Sequence, residues 1–199
     1  MSPHSMRRGV AAFTLVELMI VVALVAVILA LAAPSFRDMI LMQRLRGVNA
    51  QLVTDLALAR AEAISRATFV QLRFQSSAAG SCYIMYTRSN ALTAPQCDCT
   101  ANAGLRCSDA SIAEVRTVEL PAAESIEIAP SPGGAGFFTL SPRTGGIVIP
   151  PSDEGVVVVP TFVMDTYIDN ARKFRNVVGQ SGRVSVCAPA GSRVGGEAC

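Results

Sequence analysis

A carboxylate at the start of a long apolar run is the feature that most constrains what this chain can become. Glu17 is followed by sixteen uncharged residues, 18–33, and the segment otherwise reads as a membrane-spanning helix. A charged group next to hydrocarbon is costly, so such a residue usually has a partner or a function. The run therefore indicates a segment that the mature protein keeps and uses for assembly.

A secretory signal peptide is the competing interpretation of the same segment. Two arginines near the start would form its positive end, residues 18–31 its apolar core, and Ala30-Leu31-Ala32 its cleavage site. This interpretation predicts a mature chain that begins at Ala33. Two features oppose it, because Glu17 interrupts the apolar core and a helical pattern continues for about thirty residues beyond it.

Residues 13–19, Phe-Thr-Leu-Val-Glu-Leu-Met, resemble the class III signal of type IV pilins and type II secretion pseudopilins. The resemblance implies that prepilin peptidase removes a leader, residues 1–12, by cutting between Ala12 and Phe13. It also implies that the new amine of Phe13 is methylated. The family usually has glycine where this chain has Ala12, and it has a glutamate at the fifth mature position, which is Glu17 here.

Cleavage at this point would place opposite charges one helical turn apart, on the Phe13 amine and on Glu17. Within a fibre of packed helices, Glu17 of one subunit could pair with the amine of its neighbour. A buried ion pair adds little stability, but an unpaired partner is expensive, so the pair would fix the register between subunits. The alternative is that Glu17 extends to the lipid headgroups and has no such role.

Six cysteines follow the apolar run: Cys82, Cys97, Cys99, Cys107, Cys187 and Cys199. An even count in an exported domain favours disulfides, although fifteen full pairings are possible. A disulfide between the last two cysteines, Cys187 and Cys199, could close a small C-terminal loop. A zinc site on the first four is the alternative, but the only histidine, His4, lies in the leader and the Cys-x-Cys spacing departs from common zinc ligand gaps.

The region 13–66 is predicted to be one long helix, with a kink at Pro34. Beyond the kink an apolar stripe with spacings of three and four predicts a face that packs on a sheet. The stripe consists of Leu41, Leu45, Val48, Leu52, Leu56, Ala59 and Ala63. The polar residues Arg44, Thr54, Asp55, Glu62 and Arg66 fall largely off it.

The rest of the chain alternates like strands separated by loops. Strands are predicted at 69–74, 82–86, 114–120, 125–129, 137–140, 146–149, 155–159, 175–178 and 183–187. A loop is predicted at 87–111, and turns at 130–134 and 150–153. The predicted fold class is α+β, a long helix packed on an antiparallel sheet. Together with the resemblance to pilins, these patterns predict a leader 1–12, a transmembrane and assembly helix 13–33, an amphipathic helix 34–66 and a periplasmic β-rich domain 67–199.

Four further segments are similar to the GspH/FimT branch of minor pilins and pseudopilins. They are Leu45-Arg46, residues 56–64, residues 137–145 and residues 181–187. The resemblance implies a structural subunit that primes or caps a type IV pilus or a type II secretion pseudopilus. Its partners would be other major and minor pilins or pseudopilins, and it would sit in the bacterial inner membrane with its domain in the periplasm.

DNA binding during uptake is the alternative function. Some FimT-like proteins carry a Gly-Arg-x-Arg element near the C-terminus, whereas Gly182-Arg183 is followed here by Val184-Ser185. The candidate phosphate-binding residues are Arg172, Lys173, Arg175, Gly182 and Arg183, which would bind in a salt-dependent way. The competing interpretation is a tight turn with solvated arginines at strand edges.

An enzyme is the least favoured class. With the leader removed, the chain has no histidine, which removes the common Ser-His and Cys-His dyads. We therefore expect no catalytic residue, cofactor or metal. The net charge of +2 also indicates no general binder of polyanions. The sequence leaves open whether the chain serves a type IV pilus or type II secretion.

Overall fold

A computed structural model describes residues 13–89, 96–109, 112–131, 136–148 and 161–199. The chain forms two compact units, Met1–Leu41 and Met42–Cys199. A helix of 51 residues, α1, spans Leu15–Ser65 and contributes to both units. The prediction of one long helix over 13–66 is thus confirmed to within two residues at each end.

The described part of the first unit is helical from Leu15 onward. Thr14 caps the helix, since its Oγ1 accepts a 3.2 Å hydrogen bond from the backbone N–H of Glu17. The helix bends between Leu31 and Phe36, the interval predicted to contain the kink. No single described helix is long and apolar enough to cross a membrane. The bend separates Leu15–Leu31 from Phe36–Ser65, and these two parts together have the length and apolar composition of a span.

The second unit contains two antiparallel sheets, where the sequence predicted one. The strands are β1 (Phe69–Ser77), β2 (Gly80–Arg88), β3 (Glu114–Pro121), β4 (Glu127–Pro130), β5 (Phe137–Leu140), β6 (Phe162–Asp169), β7 (Arg172–Val178) and β8 (Val184–Cys187). Their order is β3-β2-β1-β5 in the first sheet and β4-β6-β7-β8 in the second. The chain leaves the first sheet through a short 3₁₀ helix, Ala122–Glu124, and Ser125 then takes a left-handed conformation, so the next strand pairs elsewhere.

Most predicted strands lie within observed ones, while the strands predicted at 125–129 and 183–187 begin two residues and one residue before β4 and β8. Of the exceptions, 146–149 contributes an isolated bridge from Ile147 to Leu140, and 155–159 lies outside the described residues. The predicted turn at 150–153 and most of the one at 130–134 also lie outside them. The predicted loop at 87–111 starts two residues too early, because β2 continues to Arg88. Strand β6 was not predicted at all.

The predicted apolar stripe of α1 forms the centre of the second unit's core. Leu52, Leu56, Ala59 and Ala63 are buried and pack in one cluster with residues of both sheets. Three phenylalanines belong to this cluster, with ring centroids 4.7 to 6.4 Å apart: Phe74, Phe138 and Phe162. The stripe therefore holds the two sheets together through one helix face.

Asp55 is the exception to the predicted polar face of α1. It is 1 % exposed, although the apolar pattern placed it off the buried stripe. Its carboxylate accepts a hydrogen bond from Tyr83 and forms an ion pair with Arg116. Because these partners replace the lost water, the carboxylate is tolerated inside the domain.

Candidate functional site

The start of α1 carries the first candidate site. Phe13 is 77 % exposed, and Glu17 is exposed one helical turn further on. Thr14 and Glu17 have the spacing of a capping box, and a carboxylate near a helix N-terminus is favoured by the helix dipole. Ala12, on the other side of the predicted cut, lies outside the described residues.

The apolar residues of this segment are exposed all round the helix. The large ones run from Leu15 to Leu31 and are 47 % to 76 % exposed: Leu15, Val16, Leu18, Met19, Ile20, Val21, Val22, Leu24, Val25, Val27, Ile28, Leu29 and Leu31. A helix that is apolar on every face needs a lipid or protein environment. Glu17 is an exposed carboxylate at the start of this apolar helix.

All six cysteines form disulfides, as the sequence favoured. The pairs are Cys82–Cys99, Cys97–Cys107 and Cys187–Cys199. The last pair closes the small C-terminal loop that the sequence suggested. The other two use the four sulfurs that the alternative zinc site would have needed, and the described residues contain no His/Cys/Asp/Glu group with metal-site geometry.

One disulfide, Cys82–Cys99, fastens the loop 96–109 onto β2, and a second, Cys97–Cys107, closes the loop on itself. The backbone of the loop is also bonded to β1, since Arg73 Nη1 donates to the Cys97 carbonyl at 2.6 Å and Gln75 Oε1 accepts from the Cys99 N–H at 2.9 Å. Beneath the loop, Ile84 and Tyr86 are fully buried. The loop therefore acts as a cover for one face of the sheet.

A cleft of about 280 Å³ lies between the tip of this loop and the β2–β3 end of the sheet. Its most prominent charged side chain is Arg106, which forms ion pairs with Glu114 and Glu119. Because this guanidinium is already neutralised by two carboxylates, the cleft gives no specific indication of a ligand.

Three of the candidate DNA-binding residues already have carboxylate partners within the second sheet. Arg175 Nε lies 2.9 Å and Lys173 Nζ 3.7 Å from the nearly buried Asp165. Arg172 Nη2 lies 2.7 Å from Asp169. The hydrogen bond to Asp165 raises the pKa of Arg175, and the hydrogen bond from Arg172 lowers the pKa of Asp169. A phosphate would have to compete with these carboxylates.

Gly182, the fourth candidate, has a packing role in the structure. Its φ is +74°, and a Cβ atom placed on it would lie 2.0 Å from the carbonyl oxygen of Gly145. Only glycine fits this contact between two turns without strain. Arg183, which follows it, is exposed. The candidate residues therefore do not form one phosphate-binding surface.

Two protein-family models match this chain. The family described as Type II transport protein GspH matches residues 49–161, more than half of the chain, and the Prokaryotic N-terminal methylation motif matches residues 7–33. No curated protein sequence matches significantly.

Two crystal forms of the type IV minor pilin FimU of Pseudomonas aeruginosa are similar in structure. The P21 form is 15% identical, with a TM-score of 0.48, covering 73% of this chain and 90% of that one. The P65 form is 14% identical, with a TM-score of 0.45, covering 72% and 92%. None of these matches supports the DNA-binding alternative.

Proposed function

Because the chain belongs to the GspH family of type II transport proteins, we propose that it primes or caps a type IV pilus or a type II secretion pseudopilus. It is a structural subunit, a minor pilin or pseudopilin, anchored in a membrane by its N-terminal helix. The observation that carries the proposal is a single carboxylate, Glu17, at the start of a helix whose apolar side chains are exposed on every side.

Processing would convert the anchored precursor into an assembly-competent subunit. Prepilin peptidase would cut between Ala12 and Phe13, and the new Phe13 amine would be methylated. A methylated secondary amine keeps its positive charge, so it remains a partner for a carboxylate. Glu17 of this subunit would then pair with the amine of a neighbouring subunit and fix the axial register of their helices.

The exposed helix explains why the subunit would move from a membrane into a fibre. Residues 13–33 would lie in the bacterial inner membrane before assembly, and residues 67–199 would form the periplasmic domain, with 34–66 joining them. Three disulfides are in keeping with an oxidising compartment such as the periplasm. Its partners would be other major and minor pilins or pseudopilins, whose own helices would cover the apolar surface.

Glu17→Ala tests the proposal in the full chain, expressed at its native level. Leader removal should continue, while the amount of the subunit in the sheared fibre fraction should fall by at least about tenfold, as expected when one member of a buried ion pair is lost. Glu124→Ala is the matched control, because Glu124 is an exposed carboxylate of the second unit. Normal recovery of the Glu17 variant in the fibre would refute the register role.

A further inference from the structure

Two turns of the second unit meet against the C-terminal part of α1. The first comprises residues 141–145 and the second residues 179–183. Ile147, two residues after the first turn, donates a 3.1 Å hydrogen bond from its N–H to the Gln180 carbonyl of the second. A Cβ atom on Gly145 would lie 2.7 Å from Arg60 Cγ and 2.9 Å from Ile64 Cδ1. The first turn thus packs directly against the Arg60 and Ile64 side chains of α1, which leave no room for a side chain at Gly145.

This junction brings together three arginines, Arg60, Arg143 and Arg183, which we call the arginine cluster. Arg60 lies against Gly145 and Gly182. Arg143 stands two residues before Gly145, and Arg183 directly follows Gly182. Since the two glycines touch each other, the three side chains start from one small area of the surface.

The arginine cluster has no carboxylate partner among the described residues. The described ion pairs use Arg66, Arg106, Arg116, Arg172, Lys173 and Arg175 instead. Arg60 is half-buried, and its Nε is a buried donor for which the described part of the chain supplies no acceptor. A guanidinium in such a position is stabilised when an anion from outside accepts its unused hydrogen bonds.

We propose that the arginine cluster is a docking site for a carboxylate side chain of a neighbouring fibre subunit, an inference that rests on the proposed function. A guanidinium can bind a carboxylate through two parallel hydrogen bonds, so the cluster could hold one or two acidic side chains in a fixed geometry. Such a contact would set the rotation of one domain against the next, whereas Glu17 would set the axial register.

The charge distribution favours a carboxylate over a nucleic acid. A nucleic-acid strand needs cationic groups spread along several phosphates. On the same sheet the nearest alternatives, Lys173 and Arg175, are occupied by Asp165, and on the helix Arg66 is occupied by Glu62. At this end of the second sheet, the described arginines without an ion-pair partner are those of the cluster, which suits a point contact between proteins.

Charge reversal in the full chain tests this inference. Arg143→Glu and Arg183→Glu, both at exposed positions, should each lower recovery in the sheared fibre fraction by about tenfold, since each puts a repulsive charge at the contact. Arg193→Glu is the control of equal charge. Arg193 is also exposed, and its backbone N–H donates a hydrogen bond to the Ala171 carbonyl. This contact lies at the opposite end of β7 from the cluster.

Retained leader cleavage and an unchanged thermal unfolding midpoint would establish that the variants are folded. A photo-cross-linker at the exposed Thr144 should, in the fibre, join to a pilin segment that contains Asp or Glu, and Arg183→Glu should reduce this product. If the wild-type chain enters the fibre and the variants at 143 and 183 enter equally well, the docking inference is wrong while the fibre role stands. A wild-type chain absent from the fibre would overturn both.

A fluorescent 20-base-pair DNA duplex provides the remaining arm of the test, with the purified full chain in neutral detergent at low salt. We expect no binding that depends on the cluster. The carboxylate would be wrong as the ligand if the wild-type chain bound this duplex and both Arg143→Glu and Arg183→Glu lost that binding while entering the fibre normally. The ligand of the cluster would then be a nucleic-acid phosphate.

Discussion

The hydroxyl of Tyr83 on β2 donates a 2.6 Å hydrogen bond to Oδ2 of Asp55 on α1. The other carboxylate oxygen, Oδ1, lies 2.9 Å from Arg116 Nη1 on β3. Since Asp55 and Tyr83 are each 1 % exposed, the contact lies in the interior between helix and first sheet. It fixes the rotation of α1 about its own axis, because rotating the helix would leave the Asp55 carboxylate buried without a partner.

Asp55→Ala is expected to destabilise the second unit by about 1 to 3 kcal/mol, since the variant leaves the buried Tyr83 hydroxyl without its acceptor, while the half-exposed Arg116 can be hydrated. Urea unfolding of the full chain in neutral detergent, followed by circular dichroism, measures the change. Thr54→Ala is the neighbouring control on the exposed face of α1 and should change stability by no more than about 0.5 kcal/mol. Equal effects of the two substitutions would contradict the assigned role of Asp55.

Alkaline pH should weaken the fold through Tyr83. Burial, then the hydrogen bond to Asp55, raises the pKa of Tyr83 well above its usual value. The unfolded chain loses this proton above about pH 10, whereas the folded chain keeps it, so the stabilisation is present below that pH and declines as pH rises further. Tyr83→Phe should make the decline between about pH 9 and 11 shallower.

Tyr167→Phe serves as the comparison for this pH dependence. The hydrogen bond to Glu127, and then burial, raises the pKa of Tyr167 to about 12. Because this pKa also lies above pH 11, Tyr167→Phe should change the slope of unfolding free energy between about pH 9 and 11 by a similar amount, and the two variants should diverge only above about pH 12. An unchanged slope in Tyr83→Phe would show that Tyr83 ionises in the folded protein as it does in the unfolded chain.

Gly182→Ala tests the contact between the two turns. A methyl group there meets the Gly145 carbonyl, while Gly191 has a similar φ of +83° with nothing within 4 Å. Gly191→Ala should therefore cost only the backbone strain, about 1 to 2 kcal/mol, and Gly182→Ala about 1 to 3 kcal/mol more because of overpacking. Indistinguishable unfolding midpoints for the two variants would refute the packing role of Gly182.

The disulfides should each stabilise the folded domain. The Cys187–Cys199 pair spans 12 residues, so removing it by Cys187→Ser/Cys199→Ser should cost about 2 to 4 kcal/mol. Thermal unfolding with and without reductant measures the effect, and the variant should respond less to reductant than the wild type. Alkylation of native protein should label no cysteine before reduction; labelled thiols at that stage would contradict the observed pairing.

The helix and most strands could be predicted because their patterns are local. Residues 41–63 repeat apolar positions every three or four residues, and β1 and β2 alternate. Strand β6 was missed because Asp165 interrupts its apolar pattern, and only the fold supplies the lysine and arginine of β7 that neutralise this carboxylate. Asp55 escaped prediction for the same reason, since Tyr83 and Arg116 come from distant strands.

The candidate sites divide in a similar way. The N-terminal motif could be recognised because its residues are consecutive. The pairing of the first four cysteines could not be deduced, since it depends on how the loop 96–109 folds over β2. The role of Gly182 was also hidden, because the atom that requires a glycine belongs to Gly145, far away in the sequence.

The N-terminus of the mature protein tests the central claim most directly. Mass spectrometry of the chain isolated from membranes should find a first residue of Phe13 carrying an added methyl group, followed by Thr14 and the intact helix. This result is required if the segment is a processed pilin anchor. A mature chain that begins at Ala33 would contradict the account, because Glu17 and the apolar helix would then have been discarded with a signal peptide.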